Sequence, residues 1–280
     1  MKVLKTIAEV KEFVKPFKCK DELIGFVPTM GALHEGHLAL GEEARYECDC
    51  LIYSIFVNPT QFGPNEDLDK YPRDIEADIA KLEAIDVDAV FLPDEKMIYP
   101  DNYLTYVNVK DLGKMLCGKS RVDHFEGVTT VVTKLFNIIE CDEAYFGKKD
   151  IQQFIILKKM VEDLNMPVKM IPVETVREED GLAKSSRNAY LSEDERKAAS
   201  VLFRAMTKAK ENIDIHFSPE DLIEDVVLLI SEEPLAEIEY VELRRLKDLS
   251  KVEDLSEEGM VLVLAVKFGK TRLIDNMLMK

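Results

Sequence analysis

The stretch LIGFVPTMGALHEGH, residues 23–37, contains the local pattern that indicates the fold class. Its apolar first half is typical of a buried strand ending near Met30, and Gly31 and Gly36 lie in the turn that follows. The next segment, HLALGEEARYE (37–47), has the pattern of a helix. A strand, a glycine turn and a helix in direct succession form the repeating unit of a doubly wound α/β sheet.

The same alternation recurs along the first part of the chain. Apolar segments at 50–59, 87–93, 143–149 and 166–176 predict further strands. Helical patterns begin near Arg73, after His124 and at Asp150, and residues 1–13 also show helical periodicity with interleaved charges. We therefore predict an α/β fold with a Rossmann-like doubly wound parallel sheet, in which ligands bind at the carboxyl ends of the strands.

The pattern changes after about Val176. Two charged amphipathic helices follow, and Ser218 with Pro219 has the signature of an N-cap and a first helical residue. The segments AEIEYVELRRL and GMVLVLAVKFGKTRLIDNMLM are rich in strand formers. We predict two domains: a Rossmann-like domain over 1–176 and a smaller α+β domain over 177–280.

Composition narrows the classes of partner. The chain has 280 residues and a net charge of −17, which would repel a nucleic-acid backbone. It has no apolar run of the length needed to span a membrane, so we expect no membrane partner. Its five cysteines form no CxxC pair, which favours reduced thiols and a cytoplasmic location.

The motif HEGH, at residues 34–37, is the first candidate site. His34 and His37 would share one face if the first turn is helical, and free N–H groups at a helix start favour phosphate. Imidazoles there could donate hydrogen bonds to phosphate oxygens in a transition state. Two alternatives remain open: the histidines could cap the helix, or they could bind a metal, although the spacing is not HExxH.

Two further motifs follow predicted strands. FVNPTQF (56–62) supplies Asn58 and Gln61, whose amides could hold the hydroxyls and carboxylates of a small substrate or could serve ordinary turn chemistry. FGKKDIQQ (146–153) supplies Lys148 and Lys149 as charges for phosphate, and Asp150 as an N-cap or a ribose ligand.

The fourth motif, GLAKSSRN (181–188), begins the predicted second domain. It is either a solvated surface loop or a basic loop that closes over a triphosphate. Its charges and hydroxyls come from Lys184, Ser185, Ser186 and Arg187.

Six segments in this order resemble one known family: PTMGALHEGH, FVNPTQF, YPRD, HFEGVTTVVTKLFNI, FGKKDIQQ and SSRNAYLS. The chain is similar to the pantothenate synthetases (pantoate–β-alanine ligases), most specifically between residues 25 and 195. HEGH resembles the HIGH-type signature of the nucleotidyltransferase superfamily. The resemblance implies that ATP, accompanied by Mg²⁺, activates pantoate as a pantoyl adenylate with release of pyrophosphate. β-Alanine then displaces AMP to give pantothenate.

The resemblance also implies residue roles. His37 would be the proton donor, supported by His34, with Lys149 and Arg187 at the phosphates. Pantoate would meet Gln61 and Gln153, with Asn58 beside Gln61 and β-alanine near it. The implied ATP-binding residues are Met30, Gly31, Ala32, Leu33, His34, Glu35, Gly36, His37, Gly147, Lys148, Lys149, Asp150, Val176, Lys184, Ser185, Ser186 and Arg187.

Some points stay open at this stage. The protein ligands of Mg²⁺ are unknown, and the family implies a homodimer that the periodicity does not show, although the apolar segment LIYSIFV would tolerate an interface nearby. Lys184 stands where the family usually has methionine, and Val122 replaces a usual proline. The alternative functions are a nucleotidyltransferase acting on another small acid and a non-enzymatic ATP sensor. An aminoacyl-tRNA synthetase fragment is excluded by charge and length.

Overall fold

The computed structural model describes residues 1–64 and 66–279. Residues Met1–Lys148 and Ile156–Glu174 form one compact unit, and Lys149–Ile155 and Thr175–Lys280 form a second. The strands are β1 (Lys2–Leu4), β2 (Ile24–Thr29), β3 (Cys50–Ile55), β4 (Ala89–Phe91), β5 (Glu143–Gly147), β6 (Lys169–Val173), β7 (Ala236–Arg245), β8 (Met260–Phe268) and β9 (Thr271–Leu278). The α-helices are α1 (Ile7–Lys18), α2 (Glu35–Glu47), α3 (Ile75–Glu83), α4 (Glu95–Ile98), α5 (Cys117–Ser120), α6 (His124–Ile139), α7 (Ile151–Asp163), α8 (Glu193–Ala198), α9 (Val201–Glu211) and α10 (Pro219–Ser231).

The first unit is built on a parallel sheet with the strand order β1-β4-β3-β2-β5-β6. The chain runs outward from β2 through β3 to β4, then returns to the other side of β2 for β5 and β6. The order therefore reverses between β2 and β5, which creates the crevice where ligands of doubly wound sheets bind. The predicted α/β Rossmann-like architecture is confirmed.

The sheet core explains why its strands are so apolar. All six residues of β3 are buried because β2 and β4 flank it and helices cover its faces. On one face, Val27 and Tyr53 pack with Leu40 of α2 and Leu82 of α3. Residues 51–56 of the LIYSIFV segment are buried, and Val57 is partly exposed.

The helical interpretation of the extreme N-terminus is wrong at its first residues. Residues Lys2–Leu4 form an edge strand paired in parallel with Ala89–Phe91, and only then does α1 begin. Three residues are too few to show a period, so the pairing with β4 decides the structure. Thr6 caps α1 through a capping box with Glu9.

The second unit contains an antiparallel sheet of order β7-β8-β9 with helices, which confirms the smaller α+β part of the fold. Ser218 accepts a hydrogen bond from the N–H of Asp221 at 3.1 Å, so it is the N-cap of α10 as predicted. Within the described part of the chain, no helix has both the length and the apolar character to cross a membrane.

Candidate active site

The glycine–histidine turn connects β2 to α2 at the switch point of the sheet. Gly31 and Ala32 have φ of +84° and +50°, a conformation that glycine tolerates and alanine rarely adopts. His34 is the N-cap of α2, and its Nδ1 accepts from the N–H of Gly36 at 3.1 Å. The two residues therefore form the turn between the end of β2 at Thr29 and the start of α2 at Glu35.

A buried carboxylate holds this turn from below. Asp78 of α3, 2% exposed, accepts hydrogen bonds from the N–H groups of Ala32 and Leu33, each at 2.8 Å. Lys81, one turn further along α3, donates to the carbonyl oxygen of Leu33 at 2.6 Å. An added Cβ at Gly31 would lie 3.0 Å from the Asp78 carboxylate. These two N–H groups lie before the start of α2, are engaged by Asp78 and are therefore not open to an anion.

The two histidine rings lie together, with centroids 4.1 Å apart. The N–H of His34 lies 3.4 Å from Nδ1 of His37, and Nδ1 of His34 already accepts from Gly36. An Nδ1 that accepts leaves the proton of a neutral imidazole on Nε2. The arrangement thus assigns both rings as Nε2–H donors. The hydroxyl of Tyr53 donates to the carbonyl oxygen of His37 at 2.8 Å and anchors the helix start on β3.

The amide pair follows β3, the neighbour of β2. Gln61 donates through Nε2 to the sulfur of Met30 at 2.8 Å, which joins this turn to the glycine–histidine turn. Asn58 is 2% exposed; its Nδ2 donates to Gln61 and Gly127, and its Oδ1 accepts from Tyr99 at 2.8 Å. Because the amide of Asn58 is engaged inside the protein, its contacts orient Gln61.

A second clamp fixes the backbone of Gln61. Arg121 donates to both carboxylate oxygens of Glu66, at 2.7 and 2.6 Å, and also lies 3.0 Å from Nε2 of His124. Since arginine only donates, Nε2 of His124 accepts, and Nδ1–H donates to the carbonyl oxygen of Gln61 at 2.7 Å. Burial opposes ionisation of Glu66, but Arg121 outweighs it and lowers the pKa of this carboxyl.

The turn after β5 provides the other side of the switch point. Gly147 ends β5, and no described atom lies within 4 Å of a Cβ added there, so the space beside it is open. Lys148 pairs with Glu174 at the end of β6. Lys149 and Asp150 follow in a short 3₁₀ turn that leads into α7, with Lys149 Nζ 3.8 Å from the Asp150 carboxylate.

The second unit carries further predicted residues on a short hairpin, residues 176–184, and in the turn that follows it. The N–H of Lys184 donates to the carbonyl oxygen of Val176 at 2.9 Å, which places these two predicted ATP contacts side by side. The ammonium of Lys184 pairs with Glu178 at 2.9 Å. Ser185 then caps a 3₁₀ turn by accepting from the N–H of Arg187 at 3.3 Å.

The structure therefore groups the predicted residues in two sets. The first unit contains Met30 to His37, Asn58, Gln61, Gly147 and Lys148. The second unit contains Lys149, Asp150, Gln153, Val176 and Lys184 to Arg187. Sequence reasoning missed Asp78, Lys81 and Tyr53. One signal pointed to Asp78: it lies four residues before Leu82 on the buried face of α3, where an acidic residue is unexpected.

Paired histidines and an amide pair at the switch point of a parallel sheet are typical of the ligand sites of doubly wound α/β enzymes. A family model described as pantoate-beta-alanine ligase matches residues 2–278. The chain belongs to the pantoate–β-alanine ligase family.

Individual relatives agree over the whole length. The pantothenate synthetase of Acetivibrio thermocellus is 52% identical over 100% of both chains, and that of Fervidobacterium nodosum is 51% identical over 99% of both. The crystal structure of the Thermus thermophilus enzyme aligns with a TM-score of 0.94 at 41% identity, covering 99% of both chains. The Francisella tularensis ligase, whose structure is described as complexed with β-γ ATP and β-alanine, aligns at 0.82 and 36% identity, covering 99% of this chain and 97% of that one.

Proposed function

We propose that the protein joins pantoate to β-alanine with ATP through a pantoyl adenylate, releasing pyrophosphate and then AMP. The observation that carries the proposal is the contact between Gln61 and Met30, which unites the amide pair with the histidine turn at the switch point. A substrate carboxylate held by Gln61 would thereby lie next to phosphates held by His34 and His37. Family membership supports this ligase over a nucleotidyltransferase for another acid or an ATP sensor.

In the first step, a carboxylate oxygen of pantoate attacks the α-phosphorus and the bond to the bridging oxygen of pyrophosphate breaks. His37 acts as the proton donor, as the family resemblance implies, and the contact of its Nδ1 with the N–H of His34 helps to orient the ring. His34, Lys149 and Arg187 stabilise the charge that develops on the phosphates. The braces from Asp78 and Tyr53 fix the turn before the reaction, so little reorganisation is needed.

In the second step, the amine of β-alanine attacks the acyl carbon, and AMP leaves with the electrons of the broken C–O bond. Gln61 and Gln153 hold the pantoyl group, with Asn58 orienting Gln61. As the family resemblance implies, we expect ATP to contact Met30 to His37, Gly147 to Asp150, Val176 and Lys184 to Arg187. A basic loop closing over the nucleotide would keep water from the mixed anhydride.

Magnesium is expected to arrive with ATP as part of the substrate. Among residues 1–64 and 66–279, no group of three or more His, Cys, Asp or Glu side chains is arranged to hold a metal ion. Mg²⁺ commonly binds through substrate phosphates and water with one or two carboxylates, so a protein cage is not required. We assign no reaction step to it.

The test is pyrophosphate release with ATP, Mg²⁺ and D-pantoate, with and without β-alanine. We expect one pyrophosphate per active site without β-alanine, and steady turnover with pantothenate detected by mass spectrometry when it is added. ATP binding without pantoate-dependent pyrophosphate release would refute the ligase and favour the sensor. Release dependent on a different acid would favour the nucleotidyltransferase.

We also propose that the enzyme is a cytoplasmic homodimer. All five cysteines are free, and four of them are buried, which suits a reducing compartment. Light scattering during gel filtration should give twice the 32.0 kDa chain mass, and a monomer would refute the dimer.

A further inference from the structure

Two adjacent residues of β9 contact both nucleotide-binding segments of the second unit. Asp275 and Asn276 are buried near the end of the chain, opposite Leu264 and Val263 of β8. They are remote in sequence from Arg177 and Lys149, the residues that they contact. The inference from their contacts rests on the proposed function, because it concerns the residues proposed to bind ATP.

Asp275 acts on the hairpin that carries Val176 and Lys184. Its carboxylate accepts two hydrogen bonds from Arg177, at 2.7 and 2.9 Å, and its side chain is only 1% exposed. Arg177 also donates to the carbonyl oxygen of Gly181 at 2.9 Å and lies over the ring of Phe203 at 4.7 Å. A bidentate pair of this kind fixes both position and orientation.

The hairpin has little freedom to adjust at this point. Gly181 has a φ of +88°, and a Cβ added there would lie 1.9 Å from the ring of Phe203. Arg177 pairs with Ala183 in an antiparallel bridge, next to the hydrogen bond between Lys184 and Val176. The orientation of Arg177 therefore determines where the basic loop begins.

Asn276 acts on the other segment. Its Nδ2 donates to the carbonyl oxygen of Lys149 at 2.8 Å, and its own carbonyl lies 3.4 Å from Arg177. Lys149 is one of the residues predicted to bind the phosphates, and it directly precedes Asp150, which is predicted to bind the ribose. One dipeptide thus fixes Lys149 on one side and the loop of Lys184 to Arg187 on the other.

We propose that Asp275 and Asn276 are positioning residues that hold these two segments in register for a single ATP molecule. In this role they touch none of the three substrates. They act through the Lys149 carbonyl and through Arg177, so their loss should weaken ATP binding and leave the pantoate and β-alanine sites intact.

The main variant is Asn276→Asp, which keeps the shape but presents a carboxylate to the Lys149 carbonyl. We expect the KM for ATP to rise about tenfold, in line with losing one buried hydrogen bond and gaining repulsion, while the KM for pantoate changes less than about twofold. Asn276→Leu, which removes the donor without adding charge, should raise the KM for ATP about threefold to tenfold. Calorimetric binding of a non-hydrolysable ATP analogue should show the same ratios.

The matched control is Arg272→Met on the same strand. Arg272 pairs with Glu239 at 2.7 Å and contacts neither segment in that pairing. It should lower the melting temperature without changing the KM for ATP. If Asn276→Asp lowers the melting temperature and leaves ATP affinity unchanged, or raises all three KM values equally, the proposal is overturned.

A double variant tests the shared role. If the dipeptide positions both segments for one nucleotide, Arg177→Lys with Asn276→Asp should weaken ATP binding by less than the product of the single effects. If the double variant loses ATP affinity by the full product of the two single effects, the two residues act independently and the proposed coupling is overturned. Binding of the ATP analogue is measured without pantoate, so it tests the positioning role independently of the ligase reaction. If the wild-type enzyme released no pantoate-dependent pyrophosphate, only the ligase function would be refuted.

Discussion

Asp78→Asn provides the most direct test of how the glycine–histidine turn is held. The carboxylate of Asp78 accepts from two consecutive buried N–H groups, and Gly31 and Ala32 are held at positive φ beside it. An asparagine oxygen can accept from one of these N–H groups, but its own NH₂ faces the other. The variant should keep the fold of α3 and remove one of the two hydrogen bonds that hold the turn.

The magnitude follows from the number of hydrogen bonds lost. One unsatisfied buried donor costs about 2 kcal/mol, so Asp78→Asn should lower the free energy of unfolding by about 2 kcal/mol and Asp78→Ala by about 4 kcal/mol. At about 2 °C per kcal/mol for a chain of this size, the melting temperature should fall by about 4 and 8 °C. Displacement of His37 by about 1 Å should slow adenylation about 100-fold.

The assay combines thermal unfolding with single-turnover pyrophosphate release. Asp74→Ala is the matched control, because Asp74 caps the same helix by accepting from the N–H of Ala77 at 3.0 Å but does not touch the turn. It should cost about 1 kcal/mol and leave the adenylation rate unchanged. A normal adenylation rate in Asp78→Asn, despite lower stability, would refute the idea that Asp78 positions the catalytic turn.

Four other measurements address separate features. His37→Ala should slow pyrophosphate release about 100-fold or more while ATP affinity falls only a few-fold, and equal losses would indicate a binding role alone. Lys184→Met should keep turnover within a few-fold, because the ammonium it removes is already paired with a carboxylate; a collapse of activity would make the lysine functional. The pKa of Glu66 is lowered in the folded protein, so its ionised carboxylate stabilises the fold fully above the unfolded pKa of about 4.5. This stabilisation is lost as the pH falls through the folded pKa. Glu66→Gln should therefore show a smaller loss of stability between about pH 5 and 3 than the wild type, and parallel curves would contradict this. Ellman's reagent should label one thiol, the exposed Cys19, in the native protein and all five after unfolding; rapid labelling of more than one would contradict the buried positions of the others.

Much of the site was predictable because its signals are local. The strand, turn and helix around HEGH follow one another without interruption from Ile24 to Glu47, and the apolar pattern predicts their order. The N-cap at Ser218 was predictable for the same reason, because its signal lies in the neighbouring residues. The failures are equally physical: the three residues of β1 have no period of their own, and they become a strand only because β4 offers an unpaired edge.

The supporting residues were beyond sequence reasoning for a related reason. Asp78 and Leu33 are 45 positions apart, and Asn276 and Lys149 are 127 apart. A single sequence does not indicate which side chain will bind a backbone group that is distant along the chain. Only an unusual placement, such as an acid on the buried face of α3, gives a hint.

The sequence by itself determined the class of fold, the order of the motifs and the chemistry they suit, because hydrophobic period, glycine turns and clustered charges are properties of neighbouring residues. Tertiary structure decided the rest. The strand order β3-β2-β5 brings three separate turns to one end of the sheet, and buried polar side chains then hold their backbones. Buried donors and acceptors must be satisfied, and in this fold the partners come from remote segments whose proximity depends on the packed sheet.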